Sequence, residues 1–368
     1  MIKLKFYSDV DLRLWKDYNE NNLKRVSKME RRRGQMISIR EVAKMAGVSP
    51  STVSRVMNGT AKVNEEKRQR VLNVIKETGF KPNEAARTLY KKSAKIIGVI
   101  LPNIQNPFFN EMAQAIEEEA YRRGYRMMLC NSNNNLDKEK NNIELLSRMN
   151  ADGIILLTNQ GGIRETIEKC KVPVVILDRE VQADNQVACI RSDHYKGGML
   201  AAEHLIRCGC RRIVNMRGDQ ALSSARDRFE GYLDVCRKYE MVPRYVDCRY
   251  SFREGLKKSE EILKLYPDVD GIIAGNDMVA VSVYKTLSKK GYRVPEDIQL
   301  IGYDNINLSE LVTPELTTVA QPISRMGETS AKVLIDYVEN KKISDNYHFD
   351  VELIQRDTTI MKQGGERK

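Results

Sequence analysis

From residue 95 onward the chain alternates between short apolar runs and longer stretches with a single apolar face. The runs read IIGVILP at 96–102, RMMLCNS at 126–132, DGIILLT at 152–158 and VPVVILD at 172–178. Each has strand length and is rich in residues that favour strands. FFNEMAQAIEEEAYRRG and KEKNNIELLSRMN, which separate them, carry helical spacing. The alternation resumes at 188–192, then a helix through 205, RRIVNMRG at 211–218 and a helix over 225–239. DGIIAGND at 270–277, a helix to 290, DIQLIGYDN at 297–305 and a last helix at about 323–339 complete it. Continuous apolar runs, each followed by an amphipathic helix, predict βαβ units with parallel sheets buried on both faces. Two such blocks of about five strands predict two similar α/β lobes of ordinary domain size.

The chain before residue 93 follows a different period. Ile39, Val42, Ala43 and Ala46 recur at i, i+3, i+4 and i+7, which predicts a short helix. Gly47 follows its last turn, Ser49 is a good N-cap, and Pro50 suits the first position of a second helix. That helix, over 50–57, turns Val53, Val56 and Met57 to one side, with Ser51, Thr52, Ser54 and Arg55 on or near the other. A third helix starts after Asn64, with Glu65 and Glu66 in its first turn, and stops at Thr78 and Gly79. Val71, Leu72 and Ile75 are expected to close a three-helix core. The pattern reads as an all-α helix-turn-helix head, although by itself it would also suit any small helical bundle.

Charge changes this picture. The net charge is +11, yet residues 1–92 hold 22 Lys+Arg against 10 Asp+Glu, and the other 276 residues hold 39 against 40. All of the positive excess therefore lies at the N-terminal end, as a polyanion partner would require. Seven cysteines, an odd number without a C-x-x-C pair, read as reduced thiols of a cytoplasmic protein rather than a disulfide framework. No apolar run approaches membrane-span length, and the N-terminus has no secretory h-region. Residues 1–35 carry Trp15 and the run Arg31-Arg32-Arg33, and fit nothing downstream. Either Met36 is the true start, or the extension is an arm that adds phosphate contacts.

The segments AKMAGVSPSTVSRVMNG and VNEEKRQRVLNVIKETGFKPNEAARTL closely resemble the DNA-binding head and hinge of the LacI family of transcriptional regulators. The resemblance continues to the C-terminus and spares only the first 35 residues. It implies a head over 36–81, a hinge helix and linker over 82–92, and a periplasmic-binding-protein-like core over 93–368. Lobe one would take 93–191 and 323–349, and lobe two 192–322 and 350–361. By the same resemblance Ser51 and Arg55, just after Pro50, read bases, Arg being the usual bidentate partner of guanine. Ser38, Ser49, Thr52, Ser54 and Asn58 would touch phosphates, which set register. Leu89 would be a minor-groove wedge, with Ala86 and Arg87 beside it. Pro50 stands where many members carry a bulky aromatic residue, so part of the operator code differs.

The lobes show no dinucleotide fingerprint, P-loop or nucleophile motif, and His194, His204 and His348 are too dispersed to suggest a metal site. His194 and His204 are expected on a helix surface or cap. Catalysis is not supported, and neither cofactor nor metal is expected. Parallel sheets bind ligands at the C-terminal ends of their strands. At those ends lie Phe108, Phe109, Asp178, Arg179, Arg228, Phe252, Asn276, Asp304 and Gln321. Singly, Phe108 and Phe109 could be core, Arg228 and Asp178 an inter-lobe salt bridge, and Asp304 a turn cap. Together they resemble the ligand positions of ribose-binding members of this superfamily. The three phenylalanines would cover a sugar ring, and the polar residues would hold its hydroxyls. Leu222, where purine-binding members carry a charge, argues against a base.

The function so implied is a cytoplasmic, nucleoid-associated bacterial repressor. It would bind a near-palindromic operator as a homodimer or higher assembly and be switched by a monosaccharide in the cleft. A catabolite-control regulator answering to a phosphorylated carrier protein is the alternative within the family. A sugar-processing enzyme is a third reading.

Overall fold

A computed structural model describes residues 37–59, 62–80, 93–158, 162–181, 186–340 and 346–361. The extension at 1–35 and the hinge at 82–92 lie outside them. The chain divides into two compact units, 1–92 and 93–368.

Among its described residues the first unit holds three helices, α1 (Ile39–Ala46), α2 (Pro50–Asn58) and α3 (Glu65–Thr78). Local sequence starts and stops each one. Ser38 and Glu41 form a reciprocal capping box on α1, Ser49 accepts from Thr52 N on α2, and Asn64 caps α3. Gly47, Gly59 and Gly79 end the three helices in the left-handed conformation. Val42, Ala43, Ala46, Val53, Val71 and Val74 form the core, with Val56, Met57 and Ile75 half-buried against it. Leu72, expected in this core, is instead exposed at the surface. Val71, Val74 and Ile75 share one face at 3–4 spacing, and Leu72 points about 100° away from Val71.

The second unit carries two six-stranded sheets. Lobe one orders its strands β11-β5-β4-β3-β1-β2 and lobe two β12-β10-β9-β8-β6-β7. In the first are β1 (Ile96–Leu101), β2 (Arg126–Asn131), β3 (Gly153–Leu157), β4 (Val174–Leu177), β5 (Gln186–Ser192) and β11 (Tyr347–Phe349). In the second are β6 (Ile213–Arg217), β7 (Arg244–Asp247), β8 (Gly271–Ile273), β9 (Gln299–Asp304), β10 (Thr318–Ala320) and β12 (Glu352–Ile354). Among the described residues every pairing is parallel except β10 with β12. The four strands absent from the expected pattern, β7, β10, β11 and β12, are three or four residues long. β4 and β8 are as short but buried throughout in apolar runs, whereas β7, β11 and β12 are partly exposed and show no such run.

Lobe one's helices are α4 (Pro107–Arg122), α5 (Leu136–Arg148), α6 (Arg164–Lys169) and, returning late in the chain, α12 (Ile323–Asn340). Lobe two's are α7 (His194–Arg207), α8 (Ser223–Lys238), α9 (Phe252–Leu265), α10 (Asp277–Lys289) and the single turn α11 (Leu308–Leu311). The chain crosses between lobes after β5, after β10 and after β11, so three strands of backbone form the pivot. Among the described residues no helix is long and apolar enough to cross a membrane. None of the seven cysteines, all of them among the described residues, is in a disulfide.

The lobes meet across the cleft. Ile306 of lobe two joins the lobe-one core beside Phe108, Phe109 and Met112, and Met278 and Leu308 pack against it. Asn307 N donates to Glu111 Oε1 at 2.9 Å. Arg179 Nη1 donates to Ser224 Oγ at 2.7 Å, and Glu180 N to Ser223 Oγ at 3.2 Å.

Candidate functional site

In the head, Ser51 and Arg55 stand exposed one helical turn apart on the same face of α2. Pro50 opens that helix. Ser49 and Ser38 have local duties. Ser49 Oγ lies 2.8 Å from Ser51 Oγ and 2.9 Å from Thr52 Oγ1, and accepts from Thr52 N at 3.2 Å. Ser38 Oγ donates to Glu41 Oε2 at 2.9 Å. Thr52 and Ser54 are half-buried, and Asn58 ends α2. Ala86, Arg87 and Leu89 lie outside the described residues.

In the sensor, strand ends deliver the polar residues. Asp178 follows β4 at φ +70, and Asp304 ends β9 at φ +112. Both are positive-φ aspartates at the C-terminal ends of interior strands, a backbone conformation that collects at functional sites. Arg179 follows Asp178, Gln321 follows β10, and His194 opens α7 behind its cap Asp193. Arg228 comes from α8. The backbones of α7 and α8 touch closely enough that a Cβ on Gly198 would lie 2.0 Å from Arg228 O. A side chain there would push Arg228 out of place.

Around Arg228 the contacts converge. Its Nε donates to His194 Nδ1 at 3.3 Å and its Nη1 to Gly275 O at 2.8 Å. Nη2 is 3.6 Å from Asp304 Oδ1, and the guanidinium lies 3.6 Å from the Tyr303 ring centre and 5.6 Å from that of Tyr250. Gln321 Nε2 donates to Asp304 Oδ1 at 2.8 Å. Arg228 therefore pairs with Asp304, and the alternative of an Arg228–Asp178 inter-lobe salt bridge is not formed. Asp178 Oδ1 faces His194 Nε2 at 3.3 Å, off the line a hydrogen bond needs.

Burial sets the protonation. It works against the Asp178 carboxylate, but His194, Arg179 and Arg228 outweigh it and hold the group below the usual range. Burial, with Arg228 and Arg179 adding to it, lowers His194, so the ring is neutral. Burial also lowers Arg179. It would weaken Arg228 too, but Tyr250, Tyr303, Asp304 and Asp178 reverse this and raise it. Burial, helped by Asp178 and Glu111 and opposed by Arg228 and Gln321, pushes Asp304 up to about 7.

Three atoms in this cluster are buried without a hydrogen-bond partner: Asp178 Oδ1, His194 Nε2 and Gln321 Oε1. Arginine only donates, so His194 Nδ1 accepts and Nε2 carries the proton. An unpartnered donor thus sits beside an unpartnered acceptor, the arrangement that a hydroxyl group, donor and acceptor at once, would satisfy. A cavity of about 20 Å³ beside the cluster, walled by Arg228, Phe229, Tyr250 and Tyr303, has room for about one water.

The other expected ligand residues are placed differently. Asn276 caps α10, its Oδ1 accepting from Val279 N at 2.9 Å. Phe108 and Phe109, edge to face at 5.2 Å, belong to the lobe-one core. Phe252 is half-buried at the start of α9, with Lys285 Nζ 5.6 Å from its ring. Tyr250, two residues earlier, lines the cavity instead. Of the two histidines expected on a helix surface or cap, His194 does sit at the start of α7 beside its cap, but both His194 and His204 are buried. Sequence reasoning missed His194, Tyr250 and Tyr303. The strand-end rule that found Asp178 would also have found His194, two residues past β5.

Residues 38–83 match the family described as "Bacterial regulatory proteins, lacI family", and residues 94–360 match "Periplasmic binding proteins and sugar binding domain of LacI family". The chain is 38% identical over 333 residues to a ribose operon repressor of Halalkalibacterium halodurans, covering 90% of this chain and 98% of that one. It resembles the structure of the lac repressor dimer bound to operator and an anti-inducer (25% identity, TM-score 0.79, 88% of this chain and 99% of that one). It also resembles a ribose-bound LacI-family regulator from Enterococcus faecium (29% identity, TM-score 0.66, 73% of this chain and 100% of that one).

Proposed function

The chain belongs to the LacI family and is a DNA-binding transcriptional repressor, and from that premise we propose that a monosaccharide, ribose first among candidates, controls its grip on a near-palindromic operator. It acts as a homodimer in the bacterial cytoplasm. In the head, α2 is the reading helix: Arg55 and Ser51 meet base edges, while Pro50, Thr52, Ser54 and Asn58 lie against the backbone with the capped N-termini at Ser38 and Ser49. Ala86, Arg87 and Leu89 supply the minor-groove contacts of the hinge.

One observation carries the sensor half of this reading. Asp178 Oδ1, His194 Nε2 and Gln321 Oε1 are buried without a well-aligned hydrogen-bond partner, with His194 held by Arg228 and Gln321 by Asp304. A sugar hydroxyl accepts from His194 Nε2 and donates to Asp178 Oδ1, and a second donates to Gln321 Oε1. Arg228 and Asp304 hold neighbouring oxygens, and Arg179 and Asn276 close the ring of polar groups. Aromatic faces from Tyr250 and Tyr303 take the C–H surface, with Phe108, Phe109 and Phe252 as apolar backing. The lobes already touch through Arg179–Ser224 and Glu111–Asn307, so a sugar enters only when they part. Its hydroxyls then replace those contacts with a different closed geometry. Operator and sugar are linked through one coupling free energy, about 1–3 kcal/mol in such systems.

The ribose operon repressor relative and the ribose-bound neighbour favour a pentose. The deciding experiment titrates an operator complex with ribose, other pentoses and hexoses. Operator affinity is expected to fall about tenfold to a hundredfold with one pentose. A chain that ignores every sugar yet answers to a phosphorylated carrier protein would overturn the sugar assignment.

A further inference from the structure

We propose that His204, Cys208 and Met361, at the end of α7 remote from the cleft, form a binding site for a soft monovalent metal ion, with Cu(I) the natural occupant. His204 and Cys208 are four residues apart and therefore share a helix face. Cys208 Sγ lies 3.4 Å from His204 Nε2 and 3.7 Å from Met361 Sδ. An ion bonded at about 2.0 Å to nitrogen and about 2.3 Å to sulfur in a trigonal plane spaces its donors about 3.7–4.0 Å apart. The two separations that Cys208 Sγ makes, to His204 Nε2 and to Met361 Sδ, thus fall within a few tenths of an ångström of that spacing. Thiolate and thioether together with imidazole form the donor set that selects Cu(I) over harder divalent ions.

The frame around the three donors is built. Cys208 caps the C-terminus of α7, its N–H bonded to His204 O at 2.9 Å. Gln299 clamps both partners: its Nε2 donates to Cys208 O at 3.1 Å and its Oε1 accepts from Ile360 N at 2.9 Å. The backbone that presents Met361 is thereby tied to the turn that presents Cys208. His204 Nε2 now lies 2.8 Å from Thr359 Oγ1. That hydroxyl also lies 2.9 Å from Thr317 Oγ1, so it keeps a partner when the ring turns to a metal. Cys208 is 0% and His204 1% exposed, whereas Met361 is 42% exposed. The thioether is the door, and the two buried donors are the seat.

Binding balances simply. Cu(I) displaces one proton from the Cys208 thiol to form the Cu–S bond, while the imidazole and thioether donate lone pairs and nothing is oxidised. The sugar cluster lies at the other end of the same helix, about 21 Å from His194 to Cys208 at the helical rise.

The test uses reduced full-length protein under anaerobic conditions, with Cu(I) supplied from its coloured bicinchoninate complex. The chain is expected to draw its tightest equivalent of Cu(I) from the chelator and to melt at a higher temperature when loaded. Cys208→Ala and Met361→Leu should each weaken that equivalent at least tenfold, and Cys210→Ala should not. Met361 lies at the surface, so its variant decides the matter even if Cys208→Ala fails to fold. A wild-type chain that leaves all copper on the chelator, or a Met361→Leu chain that binds it unchanged, would overturn the proposal.

Discussion

The head and the sensor hold their functional side chains in opposite environments. Ser51 and Arg55 stand in solvent on α2, above a core of six small apolar residues that does not involve them. Asp178, Arg179, Asp304 and Gln321 are at most 6% exposed, and Arg228 is wrapped by two tyrosines. An exposed reader costs the fold almost nothing, because water solvates it until DNA arrives. A buried receptor for a polar ligand must keep desolvated charges in place between ligands, and it does so by pairing them incompletely. Head variants should therefore separate function from stability, whereas sensor variants should not.

The largest break in that contrast should come from Arg228→Ala. Removing the guanidinium leaves Asp304 buried without its cation, takes one of two nearby arginines from Asp178, and should cost about 3–5 kcal/mol in denaturant unfolding of the sensor. Ribose should no longer raise the melting temperature, and repression should persist wherever the chain stays folded. Arg55→Ala should do the converse: specific operator affinity falls by about 1–3 kcal/mol, non-specific binding stays nearly intact, and unfolding does not change. Uniform loss on all DNA would show that Arg55 touches only phosphate.

The protonation of Asp304 sharpens the sensor side. Its folded value near 7 lies above the ordinary 3.8, so between the two the folded chain holds a proton that the unfolded chain has released. Stability should then fall as pH rises across that window, by at most about 1.4 kcal/mol per pH unit, and this share should level off above it. The buried Asp277 is raised as well, partly by Asp304, so Asp304→Asn should reduce the slope, without abolishing it, in urea melts taken between pH 4 and pH 7. The smallest effect tests the head's own division of labour. Ser49→Ala should lower head stability by about 1 kcal/mol as a lost cap, and Ser51→Ala by less than about 0.5 kcal/mol.

Much of the fold was legible because its signals are local. Ser38, Ser49 and Asn64 start helices by side-chain caps within three residues, and Gly47, Gly59 and Gly79 stop them. The central strands β1, β3, β4 and β9 read as apolar runs because both of their faces are covered. The edge strands β7, β11 and β12 were not legible, since three or four half-exposed residues take their conformation from a neighbour. Leu72 was misplaced for a similar reason: apolar residues at adjacent positions compete for one face, and packing chooses between them. In the site, Asp178 and Asp304 were found by the strand-end rule. His194 was lost because a histidine at a helix start looks like surface until a second lobe covers it.

The order of apolar and polar residues alone determined two parallel-sheet lobes, a small three-helix head and a positive charge confined to one end. These follow from nearest-neighbour periodicity and from charge, and need no long-range contact. Tertiary structure decided which polar groups meet. It paired Arg228 with Asp304 rather than Asp178, put Tyr250 and not Phe252 at the cavity, and brought Met361 onto Cys208. Those pairings join residues far apart in the chain, so they depend on how strands order themselves in a sheet and how lobes close. The desolvation that tunes them exists only once the surrounding atoms have arrived.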